Sequence, residues 1–487
     1  MKPHNISIKR KKSFKLTYQK NKFVLFIGED GKLDDELPLH SQMAEFIKKF
    51  ISKKAFKNIA LSKSITLDNP ITLEPDYILI IRTKSLIDDK ELYDFGKIIS
   101  KFKGEDNISI IWSIDKPFTS TARTIQLRSY VFDGLKSKKN SRKKSAETIF
   151  FINEKFKYSK SDLLKNDALA KGVFLCRDLV NFPANILNTN QFEMELKKLN
   201  KVGIKVRVLN EKDIKAIGMN LLFAVGKGSE NPSKVVVLEW NGGKKGAEPT
   251  ALVGKGVVFD SGGLSLKSSS GMVNMAMDMA GAAVVAGVLK SAALTNIKEN
   301  LVGIIGLVEN MPGPNALRPG DIIKSLKGDL IQVNNTDAEG RLLLADLLWY
   351  SQLKFKPKKI FDFATLTGAI IIALGKEYAG VFSNNDKFCN EFLSVCDKAN
   401  EKAWRLPMDK KFGDALSSSV ADMTNVGGSQ GSSIIAAMFL NNFVKKEIPW
   451  IHLDIAGVAK NTETVFSKSG ATAWGVVSLF EYFQEFS

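Results

Sequence analysis

Three short segments bring acids and lysines to places where an apolar run gives way to a helical pattern. The first, VGKGVVFDSGGLSLK at 253–267, sets Lys255, Asp260 and Lys267 around a strand end and a Gly-Gly pair. Lys255 and Asp260 are five residues apart, on opposite faces of an ideal strand, so both can serve one site only if the glycines or a bulge turn the backbone. The second, MAMDMAGAA at 275–283, opens a small-residue helix with one acid, Asp278. An aspartate there commonly caps the helix or favours its dipole, and the glycine and alanines behind it suit close packing against a sheet. The third, NNTDAEGRLLLAD at 334–346, places Asp337 and Glu339 two apart in an extended stretch just before a helix, with Arg341 near the helix start. Two carboxylates can then point toward one locus beside a cation. Each segment alone has an ordinary reading as a βα-loop, a capped helix or an acidic helix start with a surface ion pair worth little. Three strand-to-helix loops delivering acids to one edge of one sheet argue for chemistry instead.

Four acids gathered together repel unless cations neutralise them, which makes oxygen-rich coordination of divalent metal the natural solution. Two ions about 3.5 to 4 Å apart would suit shared carboxylates and activate a bridging water. Other chemistries fit less well. The chain has only His4, His40 and His452, so a His-ligated zinc site of HExxH or Cys/His type is excluded by spacing. A Ser/His/Asp triad is disfavoured because His452 would have to be its base, and G-x-x-x-x-G-K-[ST] is absent as well. His452, inside an apolar run, reads as a packed residue.

The elements that must position these segments follow from hydrophobic patterning. Apolar runs at 235–239, 251–259, 301–308, 359–363 and 450–455 alternate with helical patterns, which predicts a mostly parallel central sheet flanked by helices. In such sheets ligands sit beyond the carboxyl ends of strands. Ahead of it, runs at 23–27, 77–81 and 108–112 separated by lysine-rich helical stretches predict a second α/β domain. Helical spacing over 159–180 breaks at Asn181-Phe182-Pro183-Ala184-Asn185. The expected organisation is therefore an N-terminal α/β domain at 1–150, a connecting helix and linker at 151–185, and a larger catalytic domain at 186–487.

A chain of 487 residues with 44% hydrophobic and 25% charged residues fits a soluble globular protein of more than one domain. Its net charge is +18, and residues 1–170 carry +13 of it, most densely at 9–12 and 136–144. No aromatic pattern interleaves these runs, so they read as solvated lysine-rich surface, with a nucleic-acid groove as the minor alternative. Three scattered cysteines, Cys176, Cys389 and Cys396, are too few for a disulfide framework and favour a reducing, intracellular compartment. The basic N-terminus has no apolar stretch behind it, and no run approaches the roughly 18 to 20 apolar residues of a membrane span, so a cytoplasmic protein without membrane attachment is expected.

The three segments resemble those of the leucyl aminopeptidases, the cytosol aminopeptidase family of two-metal exopeptidases. The similarity continues through RDLVN at 177–181, DFATLTGA at 362–369, VAD at 420–422 and PWIHLDIAG at 449–457, covering about 170–487, and the NTDAEGR heptapeptide is its most specific element. The N-terminal part resembles the family only in size and α/β texture. The resemblance implies that Lys255, Asp260, Asp278, Asp337 and Glu339 bind two divalent ions, Mn2+ or Zn2+ with Mg2+ as a third option. Asp260 and Glu339 would be shared, Lys255 and Asp278 would serve the more exchangeable site, and Asp337 the other. A lysine ligand must be a neutral amine, its pKa depressed from about 10.4 by the nearby divalent charge.

The same resemblance implies that Lys267 polarises the scissile carbonyl and Arg341 holds a bicarbonate that shuttles the proton of the attacking water. Hydroxide bridging the metals would attack the first peptide carbonyl, one metal also binding the free α-amine. Met275, Thr365, Leu366 and Gly368 match positions that line the first side-chain pocket or hold the substrate backbone. An apolar pocket discriminates by only about 1–3 kcal/mol per methylene, so preference for Leu-like residues should be broad. The family usually has Lys or Arg one residue after Met275. Here Ala276 stands there, which bears on a local surface or interface contact rather than on catalysis. Peptide substrates and a homohexamer with active sites facing an interior cavity complete what the resemblance implies.

Overall fold

The computed structural model describes residues 8–11, 22–32, 41–68, 77–84, 87–103, 108–112, 118–132, 135, 148–152, 160–460 and 463–486. The chain divides into two compact units, Met1–Asp167 with Val465–Lys468, and Ala168–Thr464 with Ser469–Ser487. The expected connecting helix forms as Lys160–Asn181, and the division between the units falls inside it.

In the first unit six strands form one sheet in the order Ile8–Lys11, Thr148–Ile152, Ile108–Trp112, Lys22–Gly28, Tyr77–Thr83, Ser64–Asp68. All neighbours are parallel except the last pair. The strand Lys22–Gly28 is apolar without alternation because both its faces are covered. Phe23, Leu25 and Ile27 pack with Met43 and Ile47 of the helix Ser41–Ile51, while Val24 and Phe26 pack with Phe95 and Ile99 of the helix Asp89–Lys103. Of the two basic runs, 136–144 lies outside the described residues, and of 9–12 only the strand path Ile8–Lys11 is described.

The second unit is built on eight strands in the order Ala403–Arg405, Ala379–Ser383, Trp450–Asp454, Lys359–Ala364, Thr250–Asp260, Asn300–Asn310, Lys234–Asn241, Lys205–Leu209. The α/β class is as expected, and all five expected strands are present, but the sheet is mixed. Its four central strands are parallel, whereas Ala379–Ser383 runs against Trp450–Asp454, and both Lys234–Asn241 and Lys205–Leu209 pair antiparallel. The outermost strand Lys205–Leu209 is only partly buried, a situation that antiparallel pairing tolerates and a parallel strand rarely meets.

The helix Ala280–Thr295 is apolar on every side because it is enclosed: it is buried without a break from Ala280 through Leu289. The stretch Ser269–Thr295 therefore has the length and hydropathy of a membrane span, contrary to the expectation that no run comes close, yet two-thirds of its apolar window is buried inside the fold. Small residues let it reach the sheet. A Cβ at Gly281 would overlap the Phe363 carbonyl oxygen, a backbone atom that cannot step aside. Gly281→Ala is thus expected to destabilise the protein by about 3 kcal/mol or more, which a thermal melt measures. A melt unchanged from wild type would contradict this packing.

Candidate active site

The strand Thr250–Asp260 runs in register with Asn300–Asn310 from Thr250 to Val257, and then the register slips: Val257 faces Val308, but Phe259 faces Glu309. Val258 is the extra residue. One inserted residue reverses the alternation of side chains, so Lys255 and Asp260, five apart, come to one side of the strand, as the sequence required of them. Both are buried.

Lys255 Nζ lies 2.8 Å from Asp278 Oδ1 and 2.7 Å from Glu339 Oε1, and donates to the Thr365 carbonyl at 2.9 Å. The glycine after Glu339 leaves room for this side chain, since a Cβ at Gly340 would stand 2.7 to 2.9 Å from the Lys255 Cε, Nζ and Cδ atoms. Lys267 Nζ lies 2.8 Å from Asp260 Oδ2 and pairs with Asp337 Oδ1 as well. Neither Asp278 nor Glu339 serves as a helix cap. Met279 and Ala338 occupy the N-cap positions without a side-chain bond, and both acids turn inward to Lys255.

Carboxylate oxygens of Asp260, Asp337 and Glu339 come within 4.8 Å of one another. Packing them together has electrostatic consequences. Burial and the Asp260 charge push the Asp337 carboxyl up to about 6, and burial raises Asp278 well above the usual carboxylate range. Burial works against the Lys255 ammonium, but the charges of Asp278, Glu339 and Asp260 overcome it and hold its pKa above that of a free lysine. Lys267 is raised in the same way, Asp260 and Glu339 outweighing its burial.

Arg341, on the helix Glu339–Phe355, is buried rather than paired at the surface. Its Nη1 donates to the Asn425 carbonyl at 2.7 Å, and its Nε has no hydrogen-bond partner. Burial pulls its pKa down to about 10 despite the nearby charges of Glu339 and Asp454. The loop at 365–368 reaches the acids from the neighbouring strand. Thr365 Oγ1 donates to Asp278 Oδ1 at 2.6 Å, Leu366 N to Asp454 Oδ1 at 3.0 Å, and Thr367 Oγ1 to Asp454 Oδ2 at 2.6 Å. Met275 is half-buried in the turn Met275–Met277 leading to Asp278, and Gly368 is exposed at the start of the helix Gly368–Leu374.

The residues present fit divalent ions. The donor set is oxygen-rich, and the buried Asp278 Oδ2 has no hydrogen-bond partner, leaving a lone pair aimed at nothing in the protein. A divalent charge among these carboxylates would also reverse the balance at Lys255 in favour of the neutral amine. The orphaned Arg341 Nε suits a small anion in the same manner.

The structure thus brings Lys255, Asp260, Lys267, Asp278, Asp337 and Glu339 together, with Thr365 bonded to Asp278 and Arg341 two residues beyond Glu339. Met275 lies in a turn that packs on the strand Thr250–Asp260, and Gly368 follows the Thr365–Thr367 loop in the chain. His452 sits apart in the core as expected, its Nδ1 2.5 Å from Asp362 Oδ1, with Trp450 Nε1 donating to Asp362 Oδ2 at 2.6 Å. Sequence reasoning did not single out Asn310, Asn425 or Asp454. Asn310 Nδ2 donates to both Asp260 Oδ1 at 2.8 Å and the Thr336 carbonyl at 3.0 Å, tying the first acid loop to the third. A polar residue closing an apolar strand at its carboxyl end was the available signal for Asn310 and Asp454 alike.

Residues 174–480 match the cytosol aminopeptidase family, catalytic domain. The probable cytosol aminopeptidase of Cereibacter sphaeroides is 42% identical over 460 residues, 94% of each chain. That of Phytoplasma australiense is 47% identical over 352 residues, covering 72% of this chain and 71% of its own. Among solved structures, a mutant of tomato leucine aminopeptidase superposes with a TM-score of 0.85 at 30% identity, over 99% of this chain and 97% of that one. The bottromycin maturation enzyme BotP in complex with Mn gives 0.80 at 26% identity, over 96% of this chain and 99% of that one.

Proposed function

The chain belongs to the cytosol aminopeptidase family and is a hydrolase of the aminopeptidase class, and from that premise we propose a metal-dependent enzyme that releases Leu-like N-terminal residues from peptides. One observation carries the proposal. The oxygens of Asp260, Asp337 and Glu339 converge within 4.8 Å, with Lys255, Lys267 and Asp278 bonded around them.

In this reading Lys255, Asp260, Asp278, Asp337 and Glu339 hold two divalent ions, with Mn2+ favoured by the Mn complex of BotP. Such ions, when bound, supply Lewis acidity and an activated water. The rest falls to the chain's own residues. Lys267 is the more accessible of the two lysines, its side chain 18% exposed against 3% for Lys255, so its ammonium can meet the scissile carbonyl oxygen and favour the charge that develops there. Arg341 would hold a small anion such as bicarbonate at its unpartnered Nε, and such an anion would supply a proton acceptor where no histidine is at hand. The loop carrying Thr365, Leu366 and Gly368, with Met275 opposite in sequence, lines the pocket for the first side chain. Its anchoring by Asp278 and Asp454 supports a preformed pocket.

Residues 186–487 carry this chemistry, and residues 1–150 form the separate N-terminal domain, joined by 151–185. The protein is proposed to act in the cytoplasm as a homohexamer. Nucleic-acid binding by residues 1–150 rests on net charge alone and we do not propose it.

Hydrolysis of leucyl p-nitroanilide by the full chain, sedimenting as a hexamer, should vanish after EDTA treatment and return with Mn2+ or Zn2+. Activity that survives chelation, or that accepts N-acetyl-leucyl p-nitroanilide equally well, would overturn the reading.

A further inference from the structure

We propose that Asn425 is a positioning residue for this site, holding the loop of Asp337 and Glu339 and the side chain of Arg341 as one unit; the inference rests on the reading of those three residues given above. Asn425 is completely buried and follows the two-residue strand Met423–Thr424, which pairs parallel with Leu330–Gln332. Regular pairing stops there, and the helix begins only at Glu339. Beyond Val333 the backbone up to Glu339 has no ladder or helix to satisfy it, and a buried peptide group left without a partner is costly.

Asn425 supplies the partners for Asn334, Asn335 and Ala338, while Ser265, Asn310 and Asn335 serve Thr336 and Asp337. Its Oδ1 accepts from Asn334 N at 2.9 Å and Asn335 N at 3.3 Å, while its Nδ2 donates to the Asn335 carbonyl at 2.7 Å and the Ala338 carbonyl at 3.4 Å. Its own amide donates to the Gln332 carbonyl at 3.0 Å, and its carbonyl accepts Arg341 Nη1 at 2.7 Å. All four hydrogen-bonding groups of one residue are therefore spent on residues 332–341. The side chain grips the backbone ahead of Asp337 and again between the two carboxylates, and the main chain grips the arginine beyond them. Only a primary amide offers an acceptor and a donor at this spacing. Aspartate has the same shape but would turn an oxygen toward two carbonyls and add a negative charge beside Asp337 and Glu339.

The consequence is a division of labour. Substrate contacts are left alone by Asn425, whereas the placement of the two carboxylates and of Arg341 depends on it. Loss of its side chain should therefore weaken ion binding and the chemical step and leave substrate binding nearly as it was.

The test uses the full-length protein and its Asn425→Asp and Asn425→Ala variants. Mn2+ affinity is measured by calorimetry, kcat and KM for leucyl p-nitroanilide under saturating Mn2+, and folding by thermal melt. Support for an ion site from residues of this kind is worth about 10- to 100-fold, so Mn2+ affinity and kcat should each fall by that order while KM changes little, with aspartate the more damaging of the two. A lowered melting temperature with Mn2+ affinity and kcat per folded molecule unchanged would reduce Asn425 to a structural residue and overturn the proposal. Hydrogen exchange on the wild type decides the matter even if neither variant folds: slow exchange at the Asn334 and Asn335 amides is expected, and exchange as fast as in an exposed loop overturns it. If the wild type shows no Mn2+ dependence, the metal reading of the site has failed instead, and the exchange result still judges the role of Asn425 in holding the loop.

Discussion

Lys255→Arg is expected to leave less than about one part in a thousand of the wild-type kcat/KM for leucyl p-nitroanilide, a loss of about 4 kcal/mol in transition-state stabilisation. The substitution preserves charge, so it isolates the feature that a lysine offers and an arginine does not. In this structure the Lys255 ammonium is held by Asp278 and Glu339 and by the Thr365 carbonyl, all within 2.9 Å. A guanidinium could take over those ion pairs. It could not lose its proton to become a metal ligand, because its pKa lies far above any working pH. It is also larger, and the lane that Gly340 leaves beside Lys255 is cut to a thin aliphatic stem. Some loss of stability is therefore expected, of the order of 1–3 kcal/mol for an overfilled buried position and seen as a lower melting temperature. The decisive measurement is the number of Mn2+ ions bound per folded chain, which should fall below two. An arginine variant that binds two ions and turns over within tenfold of wild type would remove Lys255 from the ligand set.

Much of this site was legible because its residues are crowded into three segments, and segments of that kind can be read locally. The condition that Lys255 and Asp260 share a face was legible too, but the residue that meets it was not. Val258 is a bulge only because Asn300–Asn310 pairs on both sides of it, a relation across about fifty positions that nothing in the local pattern encodes. Strand direction was hidden for a similar reason: alternating apolar runs and helical patterns look alike whether an outer strand returns parallel or antiparallel, and three of the sheet's pairings proved antiparallel. The helix Ala280–Thr295 shows the converse problem, since burial on all sides erases the amphipathic stripe and leaves a pattern that also suits a membrane. Asn310 and Asn425 escaped notice because an isolated asparagine has no spacing to read. Their importance comes from which backbone groups lie unsatisfied beside them, 26 residues away for Asn310 and about ninety for Asn425.

Glu339→Gln should abolish hydrolysis to a comparable extent, again by at least about a thousandfold in kcat/KM, for a different reason. The Glu339 side chain is only 3% exposed, and it opens the helix Glu339–Phe355, where unpaired backbone N–H groups favour a negative charge. Among the described residues it is the one acid that both pairs with Lys255 and lies within 4.8 Å of Asp260 and Asp337. An amide in its place removes a negative charge from the centre of the group and an anionic oxygen that two ions could share. It also leaves Lys255 with one carboxylate partner, Asp278, and an unfavourable N–H group can face the ammonium. Breaking a buried ion pair from one side costs about 3–5 kcal/mol when no partner remains, so with Asp278 still in place a smaller loss of stability is expected. Combining Glu339→Gln with Lys255→Met should recover part of that stability while activity stays lost, because the cycle separates the pair's structural role from its chemistry. Calorimetric titration with Mn2+ and melts of the two single variants and the double variant supply the readout. A Glu339→Gln enzyme that keeps more than a tenth of wild-type activity would show that this carboxylate neither holds an ion nor sets the charge of the site.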